Sequence, residues 1–136
     1  MTARELGRVG EKAVAIWLEE HGYTITGRNV RVGHGEIDLI AEDAEYLCFV
    51  EVKTRRQFPD YRPWSGTPAE SVTKRKQAVL LRSADAWLYA NPTEKQPRID
   101  VMEVYADPES DVFRILLIEH YPNAVRKRAW YPKPWY

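Results

Sequence analysis

Two apolar runs in this chain carry acids for which an apolar strand has no ordinary use. Gly35-Glu36-Ile37-Asp38-Leu39-Ile40 holds Glu36 and Asp38, and Phe49-Val50-Glu51-Val52-Lys53-Thr54-Arg55 holds Glu51 and Lys53. Burying an unpaired carboxylate is costly, so acids in such runs need partners. Two carboxylates held side by side bind a hard divalent cation, Mg2+ or Mn2+, through oxygen. The backbone carbonyl of Val52, between Glu51 and Lys53, is a further oxygen ligand for such an ion. Phosphodiester hydrolysis needs an activated water, neutralised charge at phosphorus and help for the leaving oxygen. A lysine two residues beyond Glu51 can hold the attacking water or stabilise the phosphorane. A surface ion pair of Glu51 with Lys53 at the end of an edge strand would be worth little and would leave Asp38 unexplained.

Something must bring the two runs together. A polar turn, Glu42-Asp43-Ala44-Glu45, separates them, and the pattern predicts an antiparallel hairpin of strands over 36–41 and 46–54. Side chains alternate along a strand, so Glu36, Asp38 and Ile40 share a face, as do Glu51 and Lys53. A turn centred near 43–46 sets Asp38 opposite position 49 or 51, and either register gathers Asp38, Glu51 and Lys53 on one face. A slip of one residue would separate them. Glu36, at the mouth of its strand, is expected to support the cluster or lie on the surface.

A third element supplies another acid. Residues 3 to about 21 read as an amphipathic helix whose apolar face is Leu6, Val9, Ala13, Ile16 and Trp17, with Val14 and Leu18 at one edge and Gly22 as the stop. Glu11 falls beside that edge, where an acid can reach into a cleft, and Gly10 lets a neighbour approach closely. An ordinary solvated helix glutamate is the plainer reading of Glu11 taken alone.

The remaining pattern gives a strand over 23–32, a Gly33-His34-Gly35 turn, and a long loop over 55–71 rich in proline, arginine and aromatics. A second helix runs from 72 to about 90, capped by Ser71 or Thr73, with Ala78, Leu81, Ala84, Trp87 and Leu88 on its apolar side. Strands over 98–106 and 112–121 follow. The order α-β-β-β-α-β-β predicts an α/β domain with a central mixed sheet flanked by helices. One domain, 1–125, is expected, followed by a basic and aromatic tail, 126–136, that packs on some surface. Candidate nucleic-acid contacts are Arg55 and Arg56 at the loop's start, and Lys74, Lys76 and Gln77 in the first turns of the second helix. A solvated basic face is an equally good reading of the helix residues.

Composition bounds the function. The chain has 136 residues, enough for one core, with 44% apolar and 29% charged residues. No run is long enough to cross a bilayer, and the first residues lack a signal-peptide core. Cys48 is the single cysteine, so no internal disulfide forms and a reducing cytoplasm is expected. Twenty basic and twenty acidic residues cancel, which argues against a nonspecific nucleic-acid coat but leaves room for local basic surfaces.

On the runs quoted first, the sequence resembles the YraN-like family of bacterial proteins, which in turn is similar to PD-(D/E)xK nucleases and archaeal Holliday-junction resolvases. The match extends to Gly7-Arg8-Val9-Gly10-Glu11 with Ala13, to Arg28-Asn29-Val30, to Gly66-Thr67-Pro68-Ala69-Glu70-Ser71-Val72-Thr73 with Lys76, to Arg98-Ile99-Asp100-Val101 and to residues 120–125. The resemblance implies a restriction-endonuclease-like fold. It makes Asp38 and Glu51 metal ligands, Lys53 the catalytic lysine and Glu11 the helix acid of the resolvase-like branch. It further implies a Mg2+- or Mn2+-dependent endonuclease acting on DNA, branched or otherwise structured. The alternative is a nucleic-acid-binding or adaptor protein that keeps the fold without turnover. Cutting two strands symmetrically would need a homodimer. The loop before Gly66 is longer than the family's, and residues 126–136 run past its usual end.

Overall fold

The computed structural model describes residues 1–59 and 72–130. Helix α1 spans Ala3–Glu20 and is followed by strands β1 (Thr24–Val32), β2 (Gly35–Glu42) and β3 (Tyr46–Arg56). Helix α2 (Lys74–Ala90), β4 (Gln96–Ala106) and β5 (Ile115–Val125) complete the domain. The sheet order is β1-β2-β3-β4-β5. Only β3 and β4 pair in parallel, which a chain can achieve only through a crossover, here the one containing α2. The result is a five-stranded mixed sheet with a helix on each face, the arrangement expected of a restriction-endonuclease-like domain.

Alternation along the strands divides the core in two. Cys48, Val50, Met102 and Val104 point to one face and pack with Val14 and Leu18 of α1. Leu47, Phe49, Ile99 and Val101 point to the other and pack with Leu80 and Ala84 of α2. With both faces covered, the middles of β3 and β4 are buried almost without interruption.

The buried side of α1 differs from the expected stripe. Gly10, Val14, Ala15 and Leu18 are its buried residues, whereas Ile16 is 56% exposed. Helical spacing alone set the expected stripe on the neighbouring apolar residues, and the observed face lies along its edge, at Val14 and Leu18. Gly10 and Ala15 let the helix approach the sheet closely. At Gly10 an added Cβ would collide with the Thr54 hydroxyl.

Other boundaries move for local reasons. β3 continues through Arg56 instead of yielding to a loop at 55, because it pairs with β4 as far as Arg56–Ala106. Thr73 caps α2 by accepting from the Lys76 amide at 3.1 Å. β5 begins at Ile115 because the Asp107 amide donates to the Arg114 carbonyl at 2.8 Å and closes the turn there. β5 then runs on through Pro122, which an edge strand tolerates. In the tail, Trp130 packs on the α2-side core, and its Nε1 donates to Asp85 Oδ1 at 3.1 Å. The rest of the expected long loop, the alternative cap Ser71 and the tail's last residues lie outside the described residues. No helix among the described residues is long and apolar enough to cross a membrane.

Candidate active site

The site forms where a ladder stops. β2 and β3 pair from Glu42–Leu47 to Leu39–Val50, and beyond that pair the next residue on each strand is an acid, Asp38 and Glu51. There the Val52 amide turns from the opposing backbone to a side chain, donating to Asp38 Oδ2 at 2.8 Å. Ile37 and Ile40, three residues apart, both enter the α2-side core, so alternation breaks across Asp38. Asp38 lies against the splayed strands, and Glu51 is 6% exposed beside it.

Electrostatics follow from that burial. Glu51 Oε2 is buried and accepts no hydrogen bond from the described residues. Burial first, and then the negative charge of Asp38, push the Glu51 carboxyl up to about 8. Asp38 is also raised, chiefly by burial, against the opposing hydrogen bond from Val52. Glu51 and Asp38 are within hydrogen-bonding reach of each other. Two acceptors therefore face one another, and a proton or a cation is needed between them.

Cations approach from two elements. Lys53 follows on the face of Glu51 and lowers its carboxyl. In the parallel register Lys53 lies beside Glu103, which is buried and accepts from the Tyr105 hydroxyl at 2.5 Å. From the first turn of α2, Lys76 Nζ stands 3.8 Å from Glu51 Oε1, a long contact from a partly exposed lysine.

Glu11 comes to the neighbourhood of this pair without joining it directly. With its amide nitrogen turned to the carboxylates, Asn29 donates to Glu11 Oε1 at 2.9 Å and to Glu36 Oε1 at 3.0 Å. Burial and the charge of Asp38 raise the Glu11 carboxyl, and the Asn29 hydrogen bond opposes them. Among the described residues no three His, Cys, Asp or Glu side chains converge as a metal cluster.

The sequence reading missed Asn29. It sits in β1 at φ 47°, and asparagine inside a run of β formers is the signal, since it is depleted in strands and enriched in left-handed backbone. Lys76 was expected to contact nucleic acid and lies against Glu51. Among the other candidate contacts, Lys74 is exposed. Gln77 Nε2 donates to the Val72 carbonyl at 2.9 Å. Arg55 and Arg56 are successive strand residues and so point to opposite faces, with Arg56 Nη2 donating to the Ser110 carbonyl at 2.8 Å.

The chain matches the model of "Uncharacterised protein family UPF0102" over residues 10–104, a span that holds Glu11, Asp38, Glu51 and Lys53. It is 48% identical over 108 residues to a UPF0102 protein of Symbiobacterium thermophilum, covering 79% of this chain and 87% of the relative. A UPF0102 protein of Dehalococcoides mccartyi is 44% identical over 102 residues, 74% of this chain and 80% of the relative. One from Chlorobium phaeobacteroides is 42% identical over 122 residues, 88% of this chain and 93% of the relative. The chain belongs to the UPF0102 family, the bacterial family named above as YraN-like.

Proposed function

We propose that this chain is a divalent-metal-dependent endonuclease that hydrolyses phosphodiester bonds in DNA, branched or otherwise structured, in the cytoplasm. One observation carries the reading. Two carboxylates, half-buried Asp38 and buried Glu51, face each other, Glu51 Oε2 has no donor among the described residues, and a lysine follows on the same face.

The donor set suits a hard cation. It offers carboxylate oxygens and the Val52 carbonyl, which favours Mg2+ or Mn2+ over zinc. Asp38 and Glu51 would hold the ion, with Glu11 close enough for the charge of Asp38 to raise its carboxyl and tied by Asn29 to Glu36. When bound, the ion would neutralise phosphate charge and lower the pKa of a coordinated water. Asp38 is fixed through Oδ2 by the Val52 amide, which leaves its other oxygen for the ion. Lys53 stabilises charge developing on the phosphoryl oxygens. Lys76 holds Glu51 in the resting protein and becomes free to meet a phosphate once Glu51 has another partner.

A second reading is a nucleic-acid-binding or adaptor protein without turnover. It is favoured by the lack of a three-acid cluster among the described residues and by the presence of Lys76 on Glu51. Cleavage separates the two. Labelled linear, flapped and four-way DNA are incubated with Mg2+ or Mn2+ and wild type, Glu51→Ala or Lys53→Ala. Metal-dependent cleavage by wild type that both substitutions abolish supports the nuclease. Binding without cleavage under either metal supports the second reading, and cleavage that survives both substitutions belongs to a contaminant.

A further inference from the structure

A depression of about 300 Å3 lies on the α1 side, next to Glu11, lined by Arg8, Glu11, Lys12, Arg28, Asn29 and Leu39. Three cations converge on it from two elements. Arg8 and Lys12 are one helical turn apart on α1 and share a side of the helix. Arg28 is paired with Leu39 across β1 and β2, and Leu39 belongs to the α1-side core, so Arg28 projects on the same face. All three are exposed, and none is ion-paired with another described residue. Glu11 lines the same depression and Arg8 offsets part of its charge, so three cations against one carboxylate leave the concavity net positive, a local anion site in a chain of zero net charge.

Gly7 points the same way. It lies inside α1, where glycine costs about 1 kcal/mol relative to alanine. A Cβ built at Gly7 meets nothing within 4 Å among the described residues, so their packing gives no reason for its absence. Gly7 is one turn before Glu11, and helical side chains lean toward the N-terminus, so the Glu11 side chain extends over it. The missing side chain keeps that approach open from outside, which is what close passage of a ligand requires.

We infer that Arg8, Lys12 and Arg28, with Gly7 leaving room, form a phosphate-backbone groove that leads a nucleic-acid strand along α1 and β1 to the acid pair. This rests on the nuclease reading for the identity of the ligand. It differs from the contacts expected on β3 and α2, and it puts the strand on the Glu11 side of the cleft.

Binding in the absence of metal tests the groove apart from catalysis. The probes are a labelled four-way DNA and a labelled duplex, read by fluorescence anisotropy in EDTA over a range of salt. Arg8→Ala/Lys12→Ala/Arg28→Ala is expected to bind about tenfold or more weakly near 0.1 M salt, with the slope of log affinity against log salt reduced by about 2 to 3. Arg8→Lys/Arg28→Lys retains most of the affinity and the slope, because the charges remain. Lys95→Ala, a lysine paired with Glu42, binds as wild type. Gly7→Ala melts higher and binds several-fold more weakly. A triple variant of wild-type melting temperature that keeps wild-type affinity and slope overturns the groove, as does a wild type that binds neither probe. Wild-type binding that needs the three cations, without cleavage under Mg2+ or Mn2+, upholds the groove and rejects the catalytic reading. Metal-dependent wild-type cleavage that the triple variant matches in kcat/KM does the reverse.

Discussion

The Val52 amide donates to Asp38 Oδ2 at 2.8 Å where the β2–β3 ladder ends. One carboxylate oxygen thus replaces the backbone acceptor that Val52 loses when the strands part. Asp38 therefore has a structural role as well as a charge, and two substitutions separate them. Asp38→Ala leaves the half-buried Val52 amide unpaired and is expected to lose about 1 kcal/mol. Asp38→Asn keeps a side-chain oxygen for Val52 and removes the repulsion with Glu51, so its stability at neutral pH equals or exceeds wild type. Neither variant cleaves DNA. Thermal melts with parallel cleavage assays check this, and an Asp38→Asn protein that still cut would remove Asp38 from the chemistry.

Glu51 predicts an uncommon pH dependence. Its carboxyl rises from 4.5 to about 8 on folding, so the folded chain keeps a proton that the unfolded chain has released. The stability this contributes is complete below the unfolded value and is lost as pH rises toward 8. With a chelator present, the melting temperature should fall between those limits. Glu51→Gln should flatten that fall and stabilise the protein at pH 8 by about 2 kcal/mol or more. Mn2+ binding near neutral pH should release a proton, detected as a buffer-dependent heat. Equal pH profiles for wild type and Glu51→Gln would refute this account of the acid pair.

Much of this site was readable from residue order, because it follows from short-range rules. The polar turn at 42–45 fixes the hairpin, and strand parity then places Glu51 and Lys53 on one side. The break in alternation at Asp38 was not readable. It arises from where β2 and β3 stop pairing, and no local pattern marks that point. Asn29 was hidden for a related reason, since its role depends on α1 bringing Glu11 over β1. The α1 stripe was rotated because Leu6, Val9, Ala13, Ile16 and Trp17 also recur at helical spacing, whereas the helix meets the sheet through Gly10, Val14, Ala15 and Leu18, along the edge of that pattern. The parallel pairing of β3 with β4 is a long-range property of the crossover, although the helix between two strands allowed it.

Gly10 should be the least replaceable residue of α1. A Cβ there runs into Thr54, whose Cβ lies only 2.9 Å away, and Thr54 is held by β3 in mid-sheet. Gly10→Ala must push the helix outward, at an expected cost of about 1 to 3 kcal/mol, despite alanine's better helix propensity. Thr54→Gly in the same chain should recover part of the loss. Thr54 Oγ1 is itself buried without a partner among the described residues, so Thr54→Val alone should be neutral or stabilising. Denaturant titration of Gly10→Ala, Thr54→Gly and the double variant measures the coupling, and additive effects would mean that the two positions do not meet.

Asp100 governs the acid limb of stability. It is fully buried and accepts from Arg98 Nε and Nη2 at 2.8 Å each and from the Asn123 amide at 2.9 Å. His120 Nε2 lies 2.7 Å from its Oδ2. Burial alone would raise its carboxyl, but the hydrogen bonds from His120, Arg98 and Asn123 outweigh burial and hold it below 3.8. Its contribution is therefore present above that pH and lost as pH falls through the lower folded value, opposite in sign to Glu51. Asp100→Ala strands the Arg98 guanidinium, itself 8% exposed, and should cost about 3 to 5 kcal/mol, whereas Arg98→Met/Asp100→Leu, which removes both charges, should cost much less. Melts from acid to neutral pH decide the matter. The double variant should lose the steep acid limb while keeping the fall toward pH 8 that belongs to Glu51, and a double variant as unstable as Asp100→Ala would show that the hydrogen bonds to His120 and Asn123, and not the stranded charge, set the cost.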